Sequence, residues 1–304
     1  VLVLVVVGAV AYAFGVRRHA VLGRPWPRSR SLAFTLGIVV LAVATLPPLA
    51  TADTTSFPVH VAQHLLLAMV GPVLLVLGAP LTLALQTAPP GPRARLRRTL
   101  HRRPLKALGH PVVATAVFAG SLWVLWCTPV LGWSVRSSAV HLAVHVHFLA
   151  SGLLFAWAVL AVDTTPRRDP APLRLLLVAL VVPLHALLGL TLLAHQGPLA
   201  GYAADDLHRG AALLWIAGDL VAVAVLGVVV ARWMVDEARE AAREDRRLEA
   251  SEQGRRQPVE DVGLGHEAGL EAPVAHHLHQ DAAPTDDDVG PRLLQPGVGE
   301  PHGP

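Results

Sequence analysis

Apolar runs about as long as a bilayer is thick recur along this chain, separated by loops that hold most of its arginines before residue 235. Leu32 to Ala50, Val59 to Pro80, Pro111 to Cys127, His141 to Val162, Leu173 to Ala194 and Ala211 to Trp233 contain too few polar residues for a helix to present a wet face. Each run therefore predicts a membrane-spanning helix. Val1 to Val16 is equally apolar but shorter than the roughly 20 residues a span needs, and predicts a truncated first span. The expected fold class is all-α, a polytopic membrane helix bundle of about seven transmembrane helices over residues 1–238. Mixed charges at i,i+4 spacing predict a helical extension over 239–250, and the Gly, Pro, Asp and Glu content of 251–304 predicts a disordered tail.

Composition agrees with this pattern. Residues are 53% hydrophobic and only 15% charged, with a mean hydropathy of +0.49, which excludes a soluble globular domain. A sequence pI near 9.7 would point to nucleic acid in a soluble protein. Here the basic residues sit between spans and act as topology signals, so no nucleic-acid binding is expected and the lipid bilayer is the partner. The loops after the first, third and fifth spans hold five, seven and three Lys or Arg, whereas those after the second, fourth and sixth hold only Arg136 and Arg209. Cytoplasmic loops carry the excess, so the N-terminus is expected outside and the C-terminus in the cytoplasm. The third-loop segment RARLRRTLHRRPLKALG reads equally as an amphipathic helix on anionic headgroups or as a solvated basic loop. Lysine occurs once, and the Ala, Val, Leu, Arg and Gly load suggests a GC-rich bacterial genome, hence a multi-pass bacterial plasma-membrane protein.

Against this apolar background the histidines stand out. His60 and His64 open the third span, and His141 and His145 open the fifth with the same spacing. Residues four apart share a helix face, about 5.4 Å from each other along the axis. By the expected topology His195, His208, Asp206 and Cys127 fall at the same, extracytoplasmic end. Metal sites in helical bundles are built from side chains on facing helices, and imidazole with a possible thiol suits copper or zinc. A lone H-x-x-x-H also arises from interfacial histidines bonded to carbonyls or water. The matching depth of two pairs favours the metal, with His60, His64, His141 and His145 as one holding unit.

The other polar groups read differently. His147 points to another face, His185 lies deep and reads as a hydrogen-bonded core residue ahead of a proton-handling group, and Asp219 in the last span requires a polar partner. His101 and His110 lie at the opposite end. Trp123, Trp126 and Trp133 read as an interfacial aromatic belt, Met69 as packing, and Gly71, Gly78, Gly120 and Gly152 as small residues at helix contacts. Cys127 reads more readily as a small buried hydrophobe than as a ligand, and as the single cysteine it leaves no Cys-x-x-Cys motif. The HHLH run from His276 to His279 lies in the expected tail and carries no weight. No nucleophile and base stand in a recognisable arrangement, so no enzyme is expected.

Four phrases in order, HVAQHLLLAMVGPVLLVLGAP, HPVVATAVFAGSLWVLWCTPVLG, HLAVH with GLLFAWAVLAVD after it, and DLHRGAALLWIAGDL, carry a resemblance. Over about residues 10 to 240 the chain resembles the CtaG-type cytochrome c oxidase assembly factors, multi-span bacterial membrane proteins. The resemblance implies a role in maturing haem-copper oxidase, with copper supplied to the catalytic subunit and oxidase subunits as partners. It matches His60 and His64, and His141 and His145, to the family's paired histidines, and Asp206, Gly210 and Trp215 to residues near the start of its last helix. His208 stands where the family usually has glutamine, which leaves its role as ligand or polar substitute open. Two other classes use histidine pairs in a bundle. A b-type haem carrier needs axial histidines across a planar slot, and a copper transporter needs a polar path through the membrane, where only His185 and Asp219 offer one.

Overall fold

The computed structural model describes residues 2–164 and 169–256, with side chains to 252. Two compact units divide the chain, Val1–Arg246 and Arg247–Pro304, and the candidate site lies in the first. Among the described residues the fold is all helix, apart from one isolated bridge between Leu199 and Tyr202. The helices are α1 (Leu2–Val21), α2 (Arg28–Thr45), α3 (Leu49–Ala52), α4 (Phe57–Leu65), α5 (Gly71–Leu77), α6 (Pro80–Thr87), α7 (Pro90–Leu100), α8 (Arg103–Leu108), α9 (Pro111–Cys127), α10 (Val130–Arg136), α11 (Ser138–Leu160), α12 (Ala171–Leu193) and α13 (Ala204–Arg256).

Six helical stretches are long and apolar enough to cross a membrane: Leu2–Val21, Arg28–Ala52, Phe57–Thr87, Ser138–Leu160, Ala171–Leu193 and Ala204–Glu252. Helices α9 and α10, bent by 72° at the break between them, make a seventh when taken together. The first of these corrects the expectation of a short span. Helix α1 continues past Val16 through Arg17 and Arg18 to Val21, 20 residues in all, because no helix breaker intervenes before Gly23, at φ 73°, and Pro25. At the other end α13 is helical through the charged 239–250 stretch to Arg256, and the rest of the expected tail, with His276–His279, lies outside the described residues. Outward faces are apolar, with Val3, Val10 and Phe14 on α1, Leu176, Leu180 and Leu187 on α12, and Ile216, Leu220 and Val223 on α13 all exposed. Such a surface is stable against hydrocarbon and costly against water.

The third span is the one on which the site depends, and its irregularity has a specific cause. Between α4 and α5 the residues Leu66–Val70 form a π-helical turn. Pro72 has no N–H to bond the carbonyl of Ala68, four residues back, and a helix relieves such a lesion by bulging. The freed carbonyl faces α11 at Gly152. A Cβ at Gly152 would stand 2.0 Å from the Ala68 oxygen and 2.9 Å from Pro72 Cγ, so only glycine permits this approach. The span bearing His60 and His64 is thereby pressed against the helix bearing His141 and His145. Gly71 and Gly78 are closed in the same way by Leu41 and Phe34, whereas nothing lies within 4 Å of a Cβ at Gly120, which corrects its reading as a helix-contact glycine.

Candidate metal centre

At the end of the bundle where α4 and α11 begin, four imidazoles converge. The centroids of His60 and His64 are 4.6 Å apart on α4, and those of His141 and His145 are 4.2 Å apart on α11. Across the helix boundary His60 lies 5.4 Å from His141, and His64 lies 5.2 Å from His145. Both pairs therefore turn the same-face geometry of i,i+4 spacing toward each other. One nitrogen from each of His60, His64 and His141 falls within a 4.8 Å set, and His60 Nε2 is 3.0 Å from His64 Nε2. Tetrahedral ligands about 2.0–2.1 Å from an ion stand about 3.3 Å apart, so these nitrogens need only small shifts to share one. His145 belongs to a second 4.8 Å set with His141 and Asp53.

The surrounding groups hold the rings in a ligating orientation. Tyr202 donates its hydroxyl hydrogen to the Asp53 carbonyl at 2.6 Å, and His60 Nδ1 lies 3.2 Å from that carbonyl and 3.1 Å from the Tyr202 oxygen. In a neutral imidazole, Nδ1–H donating there leaves His60 Nε2 as an acceptor, its lone pair turned to His64 Nε2 at 3.0 Å. Burial, with Asp53 and Asp206 nearby, pushes the Tyr202 phenol up, so it remains a neutral donor. Trp126 is 2% exposed and stands edge-on to His60 and His64 at 5.7 and 5.8 Å, walling the site off from the core. This corrects its reading as part of an interfacial belt, although Trp133 is exposed as a belt residue should be.

Several donors here have nothing to bind. His64 Nδ1, His141 Nε2, His145 Nε2 and Gln63 Oε1 are buried and without a hydrogen-bond partner among the described residues. His141 Nε2 is 3.5 Å from Asp53 Oδ2, near enough for attraction but outside hydrogen-bond geometry. An unmet buried polar group costs about 1–3 kcal/mol, and four of them occur on residues of the cluster and its pocket. A pocket of about 430 Å³ reaches the cluster from the surface, lined among others by Asp53, Gln63, His141 and His145.

The remaining candidates do not join. Asp206 accepts the Phe57 N–H at 2.6 Å and so caps the first turn of α4, tying it to α13. Gly210 lies one helical turn further on, where a Cβ would meet Phe57 Cδ1 at 2.2 Å. His208 Nε2 bonds the backbone carbonyl of His195 at 3.2 Å, closing the loop between α12 and α13. Cys127 is exposed, not buried, and belongs to neither donor set. His147 faces outward and pairs with Ser121 at 2.6 Å, as its position two residues from His145 requires. His185 is buried with Nδ1 on the Val181 carbonyl at 3.1 Å, and His110 caps α9 through Val112 N. Asp53, Tyr202 and Gln63 escaped sequence reasoning, because only loop paths and helix rotation bring them beside the histidines.

A family model described as cytochrome c oxidase caa3 assembly factor (Caa3_CtaG) matches residues 10–236. The chain belongs to this CtaG family. It is also similar to uncharacterized proteins of Mycobacterium bovis and Mycobacterium tuberculosis, each 33% identical over 264 residues, and of Mycobacterium leprae, 34% identical over 266 residues. These alignments cover 81% of this chain and 40% of each relative, so the chain spans about two fifths of the length of the curated relatives it matches. No solved structure matches it. The matched CtaG region contains all four clustered histidines, Asp53 and Tyr202, and with its apolar helices makes the chain a multi-pass bacterial membrane protein.

Proposed function

We propose that this CtaG-family protein assists the assembly of haem-copper cytochrome c oxidase by holding copper as cargo at its histidine cluster and presenting it to the catalytic subunit. The observation that carries this reading is the convergence of His60, His64 and His141 nitrogens within 4.8 Å, with His141 also lining an accessible pocket and neighbouring donors left unpaired. A carrier must bind its ion and also release it. A small set of imidazoles beside an open pocket meets both needs better than a sealed cage would, and imidazole suits copper. By the arginine asymmetry of the loops, the cluster faces the extracytoplasmic side. A donor there holds the ion at the bilayer edge, near an oxidase whose copper lies within its own membrane domain.

The test is metal content and oxidase maturation measured together. Full-length protein purified in detergent micelles is expected to take up about one copper per chain, and a quadruple alanine variant of His60, His64, His141 and His145 about none. Cells carrying only that variant are expected to make oxidase lacking its haem-copper spectrum, with the variant still inserted in the membrane. Wild-type protein that binds no copper, or a quadruple variant that still matures the oxidase, refutes the proposal. A Soret band on the purified protein would instead support a b-type haem carrier.

A further inference from the structure

The donor groups divide into two sets that share one residue. His60, His64 and His141 form a set of nitrogens alone, while Asp53, His141 and His145 combine one carboxylate oxygen with two nitrogens, each set lying within 4.8 Å. Their surroundings differ as well. Asp53, His141 and His145 line the 430 Å³ pocket, whereas His60 and His64 do not line it and are almost wholly buried behind them, against Trp126 and Phe148. His141 stands between, 4.2 Å from His145 and 5.4 Å from His60 by ring centroid.

Asp53 links the two sets twice. Its carbonyl orients His60 through Nδ1, and its carboxylate reaches to within 3.5 Å of His141 Nε2. The carboxylate is buried within the pocket lining, and its ion-pair contact among the described residues is with His141. A carboxylate draws a hydrated cation into a pocket and replaces part of its water shell, which a neutral imidazole does poorly. Two neutral imidazoles in a dry interior hold a softer ion once its water is gone.

We propose that Asp53, His141 and His145 form a second, outer metal position through which copper is loaded, and that the same ion passes inward by exchanging Asp53 and His145 for His60 and His64 while His141 stays bound. The exchange is of ligands only, with no change in the charge of the ion. This rests on the copper reading above and adds to it a route and a role for Asp53. One ion per chain follows, because the two positions share His141.

The probe is Cu(II) alone, added to full-length protein in detergent micelles, with uptake followed by stopped-flow absorbance and the ligands counted from nitrogen couplings in the paramagnetic resonance spectrum. Asp53→Asn keeps the shape and the backbone carbonyl that Tyr202 and His60 use. It is expected to reach the wild-type copper content with a loading rate at least tenfold lower. The double variant His60→Ala/His64→Ala is expected to bind copper still, with two coupled nitrogens in place of three, and to lose it to a chelator at least tenfold faster. Loading of Asp53→Asn at the wild-type rate, or a double variant that binds no copper, overturns the two-position proposal while wild-type binding stands. Absence of copper from the wild type would instead overturn the copper reading itself.

Discussion

Gly152→Ala tests whether one helix contact sets the spacing of the whole site. The added Cβ would stand 2.0 Å from the Ala68 carbonyl oxygen, against the roughly 3.3 Å of an ordinary carbon–oxygen contact. Neither partner is a flexible side chain that can swing aside, so α11 and the π-helical turn must part by about 1.3 Å. Overpacking of this kind costs about 1–3 kcal/mol. The effect on the site is larger in proportion. Gly152 lies two turns along α11 from His145, about 10 Å at 1.5 Å per residue, and Ala68 lies one turn along the third span from His64. Ligand bonds tolerate deviations of only about 0.2 Å, so a separation several times that size pulls His141 and His145 out of reach of an ion held by His60 and His64. The variant is expected to melt at a lower temperature in micelles and to bind copper at least tenfold more weakly by competition with a chelator. Gly120→Ala, where a Cβ meets nothing within 4 Å, is the matched control and should behave as wild type. A Gly152→Ala protein with the wild-type midpoint and the wild-type affinity would refute the claim that the carbonyl freed by Pro72 spaces the site.

Other substitutions separate holding from supporting roles. Tyr202→Phe removes the hydroxyl shared by Asp53 and His60, and is expected to weaken copper binding about tenfold to a hundredfold with a stability loss near 1 kcal/mol, measured by chelator competition and melting. Asp206→Ala removes the cap on Phe57 and should cost about 1–2 kcal/mol in stability while leaving one copper per chain, since Asp206 lies in neither donor set. His147→Ala and Cys127→Ser are expected to keep wild-type copper content, and loss of metal in either would place a ligand outside the cluster. Reporter fusions test the orientation: a periplasm-active reporter should fail after Arg239 and work in the loop around Asp53.

The number and extent of the spans, and the faces on which the histidine pairs lie, were written locally in the chain. A bilayer imposes a length on apolar runs, and i,i+4 spacing places two imidazoles on one face whatever the rest of the molecule does. Where local rules erred, a local cause can still be found, as in α1, which no breaker stops before Gly23. The make-up of the site depended on distant contacts. Asp206, Cys127, His195 and His208 fall at the same end of the bundle as the histidines, yet helix rotation and loop path turn Asp206 to the Phe57 N–H, leave Cys127 exposed and close His208 on a backbone carbonyl. The same rotations bring Asp53, Tyr202 and Trp126 in. Pro72 and Gly152 were visible as residues, but that one frees a carbonyl the other alone can admit follows only when two helices are packed together. Sequence spacing sets which groups share a helix face, and packing between helices, through backbone approach distances no single segment contains, sets which faces meet.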